Sequence, residues 1–399
     1  MYYFIIRYAE IALKGSNRQW FENKLIGNLG RHFKDSDGIT ISRIHGRIIL
    51  SSKTDDPSIG KKLSFIPGIE NFSKALTCSH DLDEISQSAT AILKKHLQSA
   101  PEKVYTFKVV SQRSDKNFPL NSMELSAKIG GSLFEEFKGI KAQMVDPEIL
   151  LGIEIWSKNR AVVFLKKSKG QGGLPVGTSG RVLSFLSGGI DSPVASWFMM
   201  KRGCETVYLN FHSYPFIGEQ SKQKVIELVK HLSRFQPESK LIVAPFAKIQ
   251  KAVKENCAER YRTLLYRRMM NKVADGFIKK LKIKAFVTGE AVGQVASQTL
   301  ENIHCTEESA SLPVLRPLIG MEKAEIIQYA KKIGTYEISI QPFQDCCTVF
   351  QPKSPATHAN VGQLFREESR FPFAGLIEEA IKEAEITQYS SQFCNKFWD

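Results

Sequence analysis

The 399-residue chain contains no run of about 18 apolar residues, which excludes a membrane-spanning helix. Its apolar start, Tyr2-Tyr3-Phe4-Ile5-Ile6, is cut short by Arg7 and Glu10 and has no cleavage-like site. That start reads as a strand, not a signal peptide. Cysteines are few and odd in number, seven in all, without framework spacing. Cys346 and Cys347 are adjacent, and neighbouring Cα atoms about 3.8 Å apart are too close for ordinary disulfide geometry. Free thiols in a reducing cytoplasm are the expectation. No Cys-x-x-Cys pair and no Cys/His cluster has zinc spacing, so no metal ligand set is expected, nor the clustered cysteines of an iron–sulfur enzyme. Acidic residues are also short, 41 against 55 Lys and Arg, for a net charge of +14. A folded chain this basic favours polyanions. A solvated basic surface would give the same count, and charge does not separate RNA from DNA or an acidic membrane.

Hydrophobic content of 42% and charged content of 24% are those of a globular protein. The length suits roughly two or three domains. The front part reads as two small α+β units. Residues 2–9 form a strand and 17–33 a helix with Phe21, Leu25 and Leu29 at helical spacing. Residues 39–44 and 47–50 alternate like a hairpin with Gly46 in the turn. A second unit begins near residue 61. It has helices at 82–97 and 122–137, a strand at 104–110, and paired strands at 149–155 and 160–165 about a turn at Lys158-Asn159. Residues 166–175, Gly-rich and basic, read as a linker. Beyond it the pattern becomes β-α repeats. Strands are expected at 182–186, 206–211, 241–245 and 285–288, with helices near 193–202, 219–235, 248–281 and 322–333. This alternation predicts a doubly wound parallel sheet, with ligands beyond the carboxyl ends of the strands.

At the first of those ends stands Ser187-Gly188-Gly189-Ile190-Asp191-Ser192, between a buried strand and a helix with Asp191 or Ser192 as N-cap. Two glycines allow a tight turn, and N–H groups at a helix start bind anions. The Gly-Lys-Ser/Thr ending of a Walker loop is missing, so no lysine is set for a γ-phosphate. The six residues equally suit a capped helix after a strand. They resemble the SGGxDS loop of the ATP pyrophosphatase (PP-loop) enzymes, in which chemistry falls on the α-phosphate. Further on, Gly289 would let backbone approach a nucleotide and Gln298 offers a donor and an acceptor, though an ordinary βα loop reads the same. Arg260, Arg262, Arg267 and Arg268 fall on the expected long helix, where an arginine could clamp phosphate. Cys346 and Cys347, in a polar loop with Lys353 nearby, offer a reactive thiol or a small buried apolar side chain.

In order along the chain, several segments resemble the tRNA 4-thiouridine synthetases (tRNA sulfurtransferases). They are Arg7-Tyr8-Ala9-Glu10-Ile11 with Lys14-Gly15-Ser16-Asn17-Arg18, residues 186–195, Phe211-His212-Ser213, residues 289–298, Arg316-Pro317-Leu318 and residues 345–350. The resemblance implies a ferredoxin-like domain at 1–60 and a THUMP domain at 61–168, which grip the tRNA acceptor arm. A PP-loop domain would follow at 175–399. It implies ATP contacts at Phe185, Leu186, Ser187, Gly188, Gly189, Asp191, Ser192, Asn210, Phe211, Arg267, Gly289 and Gln298. Asp191 would orient Mg²⁺–ATP, and RNA contacts would fall at Lys14, Asn17, Arg18, Lys166 and Lys167. The implied reaction adenylates the uridine at tRNA position 8 and replaces its O4 by sulfur from a cysteine desulfurase persulfide. Cys347 takes the catalytic cysteine's place; Cys394 is a further tail thiol. The chain ends at Asp399, without room for the rhodanese domain of some relatives. Cys347 is therefore expected to receive sulfur directly or to resolve a carrier's persulfide. A role in thiamine thiazole synthesis, tied in the family to that domain, is the weaker expectation. A homodimer is implied as well. The competing readings are another PP-loop enzyme such as a tRNA 2-thiolase, and a tRNA-binding protein with a decayed site.

Overall fold

The computed structural model describes residues 1–390 except His45, residues 99–102, Ser157, Lys158 and Gln344, and of Cys347 the backbone alone. Cys394 and Lys158 of the expected turn therefore lie outside the described residues. The chain divides into two units, Met1–Gly173 and Leu174–Asp399.

In the front unit, β1 (Tyr2–Arg7), β2 (Ile39–Ile44), β3 (Arg47–Ser52) and β4 (Asn71–Cys78) are followed by β5 (Tyr105–Arg113) and β6 (Ile140–Ala142). Next come β7 (Ile149–Trp156), β8 (Arg160–Phe164) and the two-residue β9 (Ser168–Lys169). β2 and β3 form the expected hairpin with Ile44 opposite Arg47, and Gly46 turns at φ +73°. β4 pairs with β1 through Asn71 to Ala75 and with β8 through Leu76 to Cys78. The two α+β patterns thus share one sheet, in the order β2-β3-β1-β4-β8-β7-β5-β6. The helix Arg18–His32 buries Leu25 and Leu29 against Ile6, Ile11 and Leu50. The helices Leu82–Leu97 and Ser122–Glu136 bury Ile85, Leu93, Ile129 and Leu133 against β7. Their starts are held by Asp81 and by an Asn121–Glu124 capping box, each such cap contributing about 1 kcal/mol.

The linker reading of 166–175 does not hold throughout. β9 pairs antiparallel with Asn71 and Phe72, and the N–H groups of Gly170 and Gly172 donate to Glu70 and Ile69 carbonyls at 2.9 and 2.7 Å. A Gly-rich stretch without side-chain periodicity is fixed here by its backbone polar groups, which pattern-reading does not register.

In the back unit, β10 (Arg181–Phe185), β11 (Glu205–His212), β12 (Glu238–Pro245), β13 (Ala285–Val287) and β14 (Val314–Leu315) pair in parallel. β15 (Glu385–Ser390) adds an antiparallel edge to β12. The order β14-β13-β10-β11-β12-β15 reverses at β10, with β11 on one side and β13 on the other. That is a topological switch point, where a crevice opens at the carboxyl ends. The expected helix at 248–281 is three helices, Ala247–Asn256, Arg262–Asp275 and Ile278–Leu281. The first break comes where Cys257 and Ala258 extend. Glu367 receives the Ala258 N–H at 2.7 Å, an interaction 109 residues away along the chain. Arg260 consequently sits on a separate one-turn segment, Glu259–Tyr261, not on the helix that carries Arg267.

A Cβ at Gly152 would lie 2.2 Å from the Phe164 ring, the ring that the Arg7 guanidinium covers at 4.6 Å. Gly152→Ala should therefore cost about 1–3 kcal/mol through overpacking, read as a lowered denaturation midpoint of the full chain.

Candidate active site

The turn after β10 is tied by its own hydroxyls. The Ser187 N–H donates to Ser192 Oγ at 3.0 Å and the Gly189 N–H to Ser187 Oγ at 3.2 Å. The helix Asp191–Lys201 begins one residue earlier than an Asp191 cap requires, and its N-cap, Ile190, gives no side-chain bond. Asp191 is occupied elsewhere. Lys323 Nζ meets its Oδ1 at 2.6 Å, and Gln294 donates to its Oδ2 at 3.0 Å. Lys323 opens the helix Lys323–Ile333, so a lysine reaches the turn from 132 residues away, although the turn holds none. The Gly188 N–H donates to Asp345 Oδ1 at 2.8 Å. Burial pushes the Asp345 carboxyl above its ordinary range, and neither that N–H nor the Lys224 ammonium fully offsets it.

Beside the turn is a cavity of about 260 Å³. Its floor is Phe185 and Leu186 after β10, Asn210 and Phe211 on β11, and Thr288 and Gly289 after β13. Asn210 donates to the Leu186 carbonyl at 2.9 Å, which joins two strand ends. Phe185 packs edge-on against Phe211 at 5.8 Å between centroids. Gly289 is required by contact: a Cβ there would lie 2.8 Å from the Asp191 carbonyl carbon and the Ser192 nitrogen. Those are backbone atoms and cannot swing aside. On the far wall the buried Glu290 accepts from Arg267, from Arg316 Nε at 2.8 Å and from Thr288 Oγ1 at 2.8 Å. Burial alone would raise the Glu290 carboxyl; Arg267 and Arg316 outweigh it and hold the group below its ordinary value. Gln298 Oε1 is buried on the same cavity without a hydrogen-bond partner. That leaves an acceptor for a ligand N–H, since an unpaired buried acceptor is costly.

The cavity wall thus contains Phe185, Leu186, Ser187, Asp191, Ser192, Asn210, Phe211, Arg267, Gly289 and Gln298, while Gly188 and Gly189 form the turn at its edge. Cys346 also lines it, and its carbonyl accepts from Gln250 at 2.8 Å. The backbone of Cys347 follows in the one-turn segment Cys346–Thr348; its side chain lies outside the described residues. The sequence reading held Glu290, Gln294, Arg316 and Asp345 only as members of the resembling segments, without a site role, and did not single out Lys323. Glu290 and Asp345 stood beside chosen residues, but their partners are distant in sequence. In the front unit, Arg18 is bonded to Glu22 at 2.8 Å and to the Tyr8 hydroxyl at 2.9 Å, and the Lys14 ammonium lies 5.2 Å from the Phe21 ring centre. Asn17, Lys166 and Lys167 are exposed.

Sequence profiles described as "Thiamine biosynthesis protein (ThiI)", "ThiI ferredoxin-like domain" and "THUMP domain" match residues 177–373, 3–73 and 79–166. The probable tRNA sulfurtransferase of Caldanaerobacter subterraneus subsp. tengcongensis is 42% identical over 374 residues, 94% of this chain and 96% of that protein. The chain belongs to the tRNA sulfurtransferase family. The probable tRNA sulfurtransferase of Alkaliphilus metalliredigens is also 42% identical, over 97% of this chain and 98% of that one. The crystal structure of a 4-thiouridine synthetase–RNA complex with bound ATP has a TM-score of 0.89 at 36% identity, covering 98% of this chain and 100% of that one. PH1313 from Pyrococcus horikoshii Ot3 has a TM-score of 0.65 at 25% identity, covering 84% and 100%. The family and fold expectations are met: a PP-loop domain with a doubly wound sheet follows ferredoxin-like and THUMP modules, and the enzyme class is tRNA sulfur transfer. No helix among the described residues is long and apolar enough to cross a membrane.

Gly289→Ala should weaken ATP binding by about tenfold or more, because the βα loop must retreat from the turn; equilibrium nucleotide titration checks this. A carboxyl held low when folded stabilises at pH above its unfolded value and loses that contribution as pH falls through the folded one. The melting-temperature gap between wild type and Glu290→Gln should accordingly stay level from about pH 5 to 8 and close only below about pH 4.

Proposed function

We propose that this enzyme uses ATP to convert the uridine at position 8 of tRNA to 4-thiouridine through a uridine adenylated at O4. The observation that supports this reading is the cavity at the β10–β13 switch point, with the Ser187–Ser192 turn on one side and the partnerless Gln298 Oε1 on another. An adenine amine suits that oxygen, and the 4-thiouridine synthetase with bound ATP and RNA shares the fold over nearly the whole chain.

Phe185, Leu186, Asn210, Phe211 and Gly289 then border the nucleoside. Ser187, Gly188, Gly189, Ser192 and Arg267 serve the phosphates. Uridine O4 attacks the α-phosphorus and pyrophosphate leaves. Lys323, held at Asp191, offsets the charge that grows on the α-phosphate. Among the described residues no three His, Cys, Asp or Glu side chains form a metal cluster. Mg²⁺ needs only one or two carboxylates beside phosphates and water, and Asp191, once released by Gln294, would supply one. Bound there, Mg²⁺ would neutralise phosphate charge. Sulfur arrives as a persulfide from a cysteine desulfurase. The outer sulfur of the persulfide bonds to C4 as AMP departs with O4, and a second thiol breaks the S–S bond, so that 4-thiouridine is released and the two thiols are left as a disulfide; Cys347 is the carrying or the resolving thiol of that pair. Lys14, Asn17, Arg18, Lys166 and Lys167 are the front-unit groups offered to RNA. A cytoplasmic homodimer completes the reading.

Nucleoside analysis of tRNA from cells lacking the gene checks it. 4-Thiouridine should vanish and return with wild type but not with Asp191→Ala or Cys347→Ser. Full restoration by Cys347→Ser would remove the thiol assignment. Lys323→Met should lower the rate of tRNA-dependent pyrophosphate release by about a hundredfold, and release indifferent to tRNA would count against adenylation of uridine. Growth of the deletion strain without thiamine reads out the second use named by the family profile.

A further inference from the structure

The helix Arg262–Asp275 runs against the strand direction. Its far end leads to Leu281, whose carbonyl accepts from Arg181 at the start of β10 at 2.8 Å. Its first turn therefore lies out beyond the carboxyl ends of the strands. Met270 and Asn271, further along, line the ATP-type cavity, whereas Arg260, Thr263 and Leu264 line a second cavity of about 320 Å³. Arg267 borders both. The two cavities are thus neighbours along this helix and meet at Arg267.

Two loops close its sides, and both are fixed. The buried Asn302 donates to the Ala296 carbonyl at 2.7 Å and to the Ala356 carbonyl at 2.9 Å, clamping one wall to the other. The Ala356 N–H donates to the Arg260 carbonyl at 3.0 Å, and the Lys353 N–H to Glu259 Oε1 at 3.0 Å. The charged groups on the wall are two arginines, with no carboxylate among the lining residues. Arg260 is exposed, lies 5.3 Å from the Tyr261 ring centre and makes no ion pair among the described residues. Val295, Pro352 and Pro355 give flat apolar surface, while Thr263, Ser297 and Gln351 give hydroxyl and amide groups. An anion joined to a small planar polar ring fits this chemistry. Along the chain, Cys346 belongs to the first wall and Gln351 to the second, so the Cys347 backbone passes from one to the other.

We propose that this second cavity receives the target pyrimidine nucleotide turned out of the tRNA, its base on the Val295 and Pro352 walls and its phosphate at Arg260. Enzymes that react at a base take it out of the stack. Here the base and the nucleotide triphosphate face each other across Arg267, with the Cys347 segment alongside. The assignment rests on the thiolation reading, and its test separates the two.

Val295 is about half exposed, so Val295→Trp fills the cavity without burying new surface elsewhere. Arg260→Ala removes the free cation. Each should lower kcat/KM for tRNA-dependent pyrophosphate release by about tenfold or more, and Arg260→Ala should reduce its salt slope by about 0.7. ATP affinity should stay within about twofold. Irradiation of tRNA carrying 4-thiouridine at position 8 should crosslink wild type within residues 295–297 or 351–356. If wild type thiolates tRNA and both variants release pyrophosphate at the wild-type rate, the cavity is not the nucleotide site and the function stands. A loss confined to sulfur transfer assigns the cavity to the sulfur donor instead and overturns the proposal. Crosslinks confined to the front unit would do the same. A wild type that leaves tRNA unthiolated would sink the functional reading itself.

Discussion

A carboxylate taken out of water needs cations at hand, and Glu290 has two. Arg267 comes from the helix Arg262–Asp275 and Arg316 from the loop after β14, and both close on this one side chain. Removing the carboxylate would leave two arginines facing each other in a buried wall, a loss of about 3–5 kcal/mol in comparable cases. The consequence for function is positional. Arg267 cannot drift, so the partition between the two cavities keeps its place, and Gly289, one residue earlier, is held against the Asp191-Ser192 backbone. The sheet sets where the strands end; this cluster sets how closely the loops above them pack.

The front unit solves a similar problem in another place. Arg7 forks onto Glu154 at 2.9 and 2.7 Å and adds a bond to Ser73 at 3.0 Å. β1, β4 and β7 are thereby fixed to one another through side chains as well as through the ladder. Burial lowers the Arg7 guanidinium's value more than Glu154 raises it.

What could be read from the sequence follows from the range of the interactions. The helix Leu82–Leu97 and the hairpin Ile39–Ser52 rest on local periodicity and turn chemistry, and their positions were legible. So was the turn at residues 187–192, because a strand, two glycines and a helix start are adjacent. The break before Ala258 was not legible, since Glu367 causes it from across the fold. Neither was β15, an edge strand completed only by pairing with β12. The cavity's own walls were found where Gly289 or Gln298 stood in a recognisable stretch. Glu290 and Arg316 lay in recognisable segments too, but their pairing with each other, and the reach of Lys323 to Asp191, have no signature until the chain folds, because a charge pair carries no periodicity.

The contact at Gly188 ties the turn after β10 to the segment that carries Cys346 and Cys347. Its N–H points at Asp345, a carboxyl raised by burial and therefore poorly satisfied as an anion. A phosphate that takes this N–H takes it from Asp345, and repulsion between the two anions pushes the same way. Asp345 immediately precedes Cys346 and Cys347, whose one-turn segment is bonded back to the Asp345 carbonyl by the Thr348 N–H at 3.1 Å. Displacing the carboxylate therefore acts on the first residue of the thiol segment. On the proposed reading, in which the base is activated before sulfur arrives, the turn that would hold phosphate and the segment that carries Cys347 share one side chain, Asp345.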